Sequence, residues 1–173
     1  PQQIESGKFL NWVAEGGAET QLDSIGFIVE TPEIPFDEYV FLVSYAKLAR
    51  CYSQRTGLVK DRGHLRDGFF DNVPATGMFA LSTALASKLG IVTPDFALSI
   101  LKTTHDRIAK LTGPCGLLPH FVKESTPGGP YQLIAGTEYS VVDSALYFHS
   151  MLLAAGILND AAMEQTLAGE IGG

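Results

Sequence analysis

The chain has 173 residues, enough for one ordinary hydrophobic core, and its 46% hydrophobic and 18% charged residues mark it as folded rather than disordered. Acidic residues outnumber basic ones by 19 to 12, and Lys and Arg form no cluster, which excludes a surface that attracts nucleic-acid phosphate. No apolar run approaches the roughly 20 residues of a membrane span, and the longest, 145–158, is interrupted by Tyr147, His149 and Ser150 and predicts a buried helix.

The first residues, Pro1-Gln2-Gln3-Ile4-Glu5, lack the basic and apolar regions of a signal peptide. Pro1 in place of Met implies a leader removed or upstream sequence left out. Cys51 and Cys115 are expected to be free thiols packed as small apolar residues, although the two could pair.

Residues 1–35 read as an irregular N-terminal segment, with a short amphipathic piece around Trp12 and a strand at 25–29. The rest, 36–173, reads as one helical-hairpin domain. Its first helix spans Phe36 to Tyr52, with a broad apolar face and Asp37 and Glu38 suited to its positive N-terminal end. A polar loop, 61–72, leads to a second helix with Pro74 near its first position and Gly90 as its stop. Thr93-Pro94 starts a third helix in the same way, which Gly113-Pro114 ends.

Two β-like pieces, 117–122 and 131–135, flank the turn signal Thr126-Pro-Gly-Gly-Pro130 and predict a hairpin. A fourth helix opens at Ser140 and runs to about Leu158, and a short amphipathic piece covers 160–167. The predicted fold is therefore mainly α, helical hairpins with a β-hairpin at the rim, and not a βαβ pattern.

The segment Gly136-Thr-Glu-Tyr-Ser-Val-Val-Asp-Ser-Ala-Leu146 places two carboxylates, Glu138 and Asp143, where an extended stretch turns into an apolar helix. Upstream, Thr56-Gly-Leu-Val-Lys-Asp-Arg62 sets a charged pair just past a helix end. With Val73-Pro-Ala-Thr-Gly-Met-Phe-Ala-Leu81 and Gly116-Leu-Leu-Pro-His-Phe-Val122, these pieces occur in an order that resembles the glucoamylase-like domain family, which includes bacterial endo-β-1,2-glucanases. The likeness covers about residues 40–158. Lys60 stands where that family usually has Pro, Pro119 where an aromatic is common, and Tyr139 replaces an apolar residue.

The resemblance implies a toroid of six helical hairpins with a sugar-binding cleft at one end, and hydrolysis of a β-linked glucan, β-1,2-glucan among them, by carboxylates. It also implies a periplasmic or secreted location. Because a complete (α/α) toroid needs a dozen helices, the four or five here are expected to form an incomplete one, completed by a further chain or a missing half.

Glu138 lies ahead of the helix and has no part in its stability, so it is the candidate catalytic acid, against the alternative of a solvated loop residue. Asp143 fits two roles, a capping partner for Ser140 and a sugar ligand. Asp61 and Arg62 read either as a loop staple or as groups at a cleft rim that grip hydroxyls. His120 reads as a satisfied rim histidine or as a cleft residue, and Tyr139 as a surface on which a sugar ring stacks. Asp67 and Asp71 read as solvated turn formers, and His105 and His149 as structural. No pair of His or Cys has metal-ligand spacing, so neither a metal nor another cofactor is expected. The competing function is a non-catalytic helical module that binds a glycan or assembles with another chain.

Overall fold

The structure, a computed structural model, describes residues 35–61, 70–126 and 130–172. The expectations placed on 1–34, on Arg62 and Asp67, and on Gly128 and Gly129 lie outside the described residues.

Five helices dominate the described residues: α1 (Phe36–Cys51), α2 (Val73–Lys88), α3 (Pro94–Ile108), α4 (Val141–Leu158) and α5 (Ala161–Gly172). The mainly α expectation holds, and α2, α3 and α4 each start for a local reason. Asn72 caps α2 by accepting from Ala75 N–H at 2.8 Å, and Pro74 follows inside its first turn. Thr93 caps α3 through Phe96 N–H, again with Pro next. Ser140 caps α4 through Asp143 N–H at 3.2 Å. The last helix is longer than the amphipathic piece expected at 160–167.

Among the described residues, seven short strands form three antiparallel sheets: β1 (Tyr52–Ser53) with β2 (Leu58–Val59); β3 (Asp71–Asn72), β5 (Phe121–Glu124) and β6 (Tyr131–Leu133) in the order β3-β5-β6; and β4 (Leu118–Pro119) with β7 (Tyr139–Ser140). The expected hairpin forms between β5 and β6, with Glu124 opposite Tyr131. The piece read as one strand, 117–122, is split at His120. Its first half pairs with β7 and its second with β3 and β6, because two different helix starts draw on it.

Those two starts lie side by side. Val73 N–H, the first of α2, donates to His120 O at 3.1 Å. Ser144 Oγ, in the first turn of α4, accepts from Leu118 N–H at 2.8 Å and donates to Ser140 O at 2.6 Å. From this shared origin α2 and α4 run together in the same direction and make the most extensive helix contact of the fold. A Cβ on Gly77 would lie 3.0 Å from Tyr147 Cα, so the absence of a side chain sets the closeness of the two helices.

The core is built around this pair, from Phe79, Leu101, Ile108, Tyr147 and Met151 together with Leu58 of β2. The Gly57-Leu-Val59 piece is therefore core rather than rim: Gly57 has φ +75° and Leu58 and Val59 are fully buried. Val59 N–H donates to the buried Thr76 Oγ1 of α2, which in turn donates to Asn72 O. By length and a mean hydropathy of 1.6, α4 is apolar enough to cross a membrane. Its contacts with α2, α3 and α5 place it centrally among the described helices, but only 39% of it is buried, and Val141, Val142, Leu146 and Leu153 remain exposed.

Candidate functional site

The bend at His120 is where the nominated residues meet. His120 N–H donates to Glu138 O at 3.2 Å, and the β4–β7 ladder opposes Pro119 to Tyr139 immediately beside it. Residues separated by eighteen positions thus become backbone neighbours. Phe121 N–H extends the link by donating to Thr137 Oγ1 at 3.2 Å.

Asp143 completes the group from the first turn of α4. Its backbone makes the expected cap with Ser140, but its carboxylate does not return to the Ser140 amide as a capping box would require. Asp143 Oδ2 instead stands 3.2 Å from His120 Nδ1. The Asp143 side chain is 10% exposed and that of His120 32%, so the pair sits partly shielded from solvent. The His120 ring lies against Phe121, which is tilted against Phe70 in turn. These rings close one side of the imidazole and limit its motion.

Glu138 is exposed at the mouth of this pair. One donor atom from each of His120, Glu138 and Asp143 lies within 4.8 Å of the others. The imidazole, a buried carboxylate and an exposed carboxylate can share a proton, grip hydroxyls or hold a cation. Three of the six residues singled out in the sequence are thereby gathered in one place.

The other three are placed differently. Asp61 Oδ1 accepts from Asn72 Nδ2 at 3.0 Å, so Asp61 steadies the residue that caps α2. Of the two roles open to Asp61, this contact fits the loop staple. Arg62 lies outside the described residues. Tyr139 is half-buried, and its ring fills the space over Gly113, where a Cβ would come 2.1 Å from Cε1. One edge of that ring is engaged in packing. His105 is structural as expected, its Nε2 lying 3.0 Å from Glu170 Oε1 between α3 and α5.

A second group was not legible in the sequence. Asp71, read as a solvated turn former, is only 8% exposed and lies in β3 opposite Val122. Burial, and the nearby Glu124 carboxylate, push its pKa up to about 6 against the restraining effects of Tyr131, Lys60 and Arg55. The Tyr131 hydroxyl is buried near Asp71 and Thr56 without a well-formed hydrogen bond to either, and burial raises its pKa. Arg55 grips Glu124 with both guanidinium nitrogens, at 2.5 and 2.6 Å. A concavity of about 460 Å³ opens here, lined by Arg55, Thr56, Arg107, Lys110, Glu124 and Tyr131 among others. It does not include His120, Glu138 or Asp143. Only the β pairing that buries Asp71 distinguishes it from the loop acids around it.

No family model, curated protein or solved structure matches the chain.

Proposed function

We propose that the chain is a glycoside hydrolase, or a portion of one, acting on a β-linked glucan, with Glu138 as the general acid. The convergence of Glu138 with His120 and Asp143 at the mouth of α4 carries this reading. An exposed carboxylate beside a shielded imidazole–carboxylate pair has the donor and acceptor groups that sugar recognition and proton transfer require. The motifs that resemble the glucoamylase-like family supply the substrate class. In this reading α2 and α4, parallel and joined through the intervening α3, are neighbouring helices of one layer of an incomplete (α/α) toroid.

The spacing of the acids bears on their roles. Inverting glycosidases hold their two carboxylates roughly 6.5–9.5 Å apart so that a water fits between them. Glu138 and Asp143 approach within 4.8 Å, and Asp143 is engaged by His120. For an inverting enzyme Asp143 is then a positioning residue that holds His120, and the second carboxylate comes from elsewhere; for a retaining one, whose carboxylates stand about 5–5.5 Å apart, Asp143 itself fits the second position.

The apolar surface beside the site favours a second reading. Val141 and Val142, which open α4, are each 67% exposed. Such residues suit a module that assembles with another chain and binds glycan without cleaving it. Incubating the chain, and the longest natural form that contains it, with linear β-1,2-glucan and other β-glucans separates the two. Release of oligosaccharides supports hydrolysis; glycan binding with no release by the longest form favours the module.

A further inference from the structure

We propose that His120, Glu138 and Asp143 form a binding site for a divalent transition-metal cation of the zinc type. The three donors come from separate segments: the β4–β5 bend, the approach to β7 and the first turn of α4. Their backbones are fixed to one another by the His120–Glu138 hydrogen bond, the β4–β7 ladder and the Ser140 cap. The ligand set is thus largely built before any cation arrives, which reduces the ordering cost of binding.

The spacing suits such an ion. Tetrahedral donors at about 2.1 Å from zinc stand roughly 3.4 Å from one another. His120 Nδ1 and Asp143 Oδ2 are already 3.2 Å apart. All three donor atoms lie within 4.8 Å, and the exposed Glu138 is free to swing the remaining distance. One imidazole nitrogen with two carboxylate oxygens is a borderline set that suits zinc and its neighbours better than magnesium, which prefers an all-oxygen shell, or copper(I), which prefers sulfur. Three protein donors leave a coordination position open to water or a sugar hydroxyl. The Phe121 ring covers one flank of the imidazole and keeps it aimed at the site.

The site has a consequence for activity, and this part rests on the proposed hydrolase function. A cation bound to the Glu138 carboxylate occupies the group that would donate the proton, so the loaded site is an inhibited one.

Titration calorimetry of the 173-residue chain with Zn²⁺ at neutral pH, repeated with Co²⁺ and its visible absorption, tests the site. The expected result is one cation per chain, with affinity falling about tenfold or more in both His120→Ala and Glu138→Gln. Glu138 is exposed, so the second variant retains the fold and keeps the test decisive. His105→Ala should leave binding unchanged. Undiminished binding in His120→Ala and Glu138→Gln, loss of binding in His105→Ala, or no binding by the parent chain overturns the site. Cation binding by the chain, with no sugar released by the longest natural form that contains it, upholds the site while removing the hydrolase reading. Glucan hydrolysis that continues unchanged in the Zn²⁺-saturated chain overturns the inhibitory coupling.

Discussion

Asp143 Oδ2 stands 3.2 Å from His120 Nδ1, joining the first turn of the central helix to the bend between two strands. The contact ties a sheet to a helix start and defines the floor on which Glu138 sits. Removing either partner leaves a partly buried polar group without its companion. A double-mutant cycle with His120→Ala and Asp143→Asn should therefore show a coupling energy of about 0.5–2 kcal/mol in urea unfolding. Additive effects of the two substitutions would mean that the pair contributes no interaction of its own.

Glu138 presents the opposite case, an exposed acid with no structural task. Glu138→Gln should change stability by no more than about 0.5 kcal/mol. If Glu138 is the general acid, the same variant should lower glucan hydrolysis by about 100-fold or more. Reducing-sugar release and a thermal melt, measured on the same preparation, check both halves. Hydrolysis at the parent rate would remove Glu138 from the catalytic role.

Gly77 tests how the site's two helices are held. In an exposed helix interior, Gly→Ala stabilises by about 1 kcal/mol through propensity alone. Here the added methyl would meet the Tyr147 backbone at 3.0 Å and push α2 from α4. Gly77→Ala should instead destabilise by about 1–2 kcal/mol net. A higher urea midpoint would show that the helix pair yields without cost.

Ser144 joins α4 to β4. Ser144→Ala deprives the buried Leu118 N–H of its acceptor and should cost about 1–3 kcal/mol. Because Leu118 lies two residues before His120, amide hydrogen exchange around 118–121 should rise at the same time. Unchanged exchange with reduced stability would place the loss within α4 alone.

Asp71 should make stability depend on pH in the direction opposite to a salt-bridged acid. Its pKa is about 6 in the folded protein, against 3.8 ordinarily. Between those values the folded protein keeps a proton that the unfolded chain has lost, so stability falls as pH rises through the window. The loss is on the order of 2 kcal/mol. Asp71→Asn, which keeps the shape and removes the charge, should flatten the pH dependence between about pH 4 and 6 and raise stability at neutral pH. A pH profile identical to that of the parent would contradict this account.

Much of the fold was legible because its signals are local. Asn72-Val73-Pro74, Thr93-Pro94 and Ser140 start helices through hydrogen bonds and backbone restrictions that span only three or four residues. Gly90 ends its stretch by adopting φ +73°, which few other residues accept. The β5–β6 hairpin is equally local, since only six residues, rich in Pro and Gly, separate its strands in the sequence. The two carboxylates at the mouth of α4 could be found for the same reason, as could the absence of any helical task for Glu138.

The site itself depends on contacts that no local rule supplies. Sequence patterning alone brought Glu138 and Asp143 close along the chain, but not His120, which reaches them by splitting an apparent strand between two partners. That the Asp143 carboxylate turns to an imidazole was decided by the position of a ring 23 residues away along the chain. The Tyr139 ring was drawn into packing over Gly113, and Asp71 was buried by pairing with Val122. Local chain stiffness and hydrogen bonding determined where the helices begin and end; long-range strand pairing and burial decided which side chains face one another.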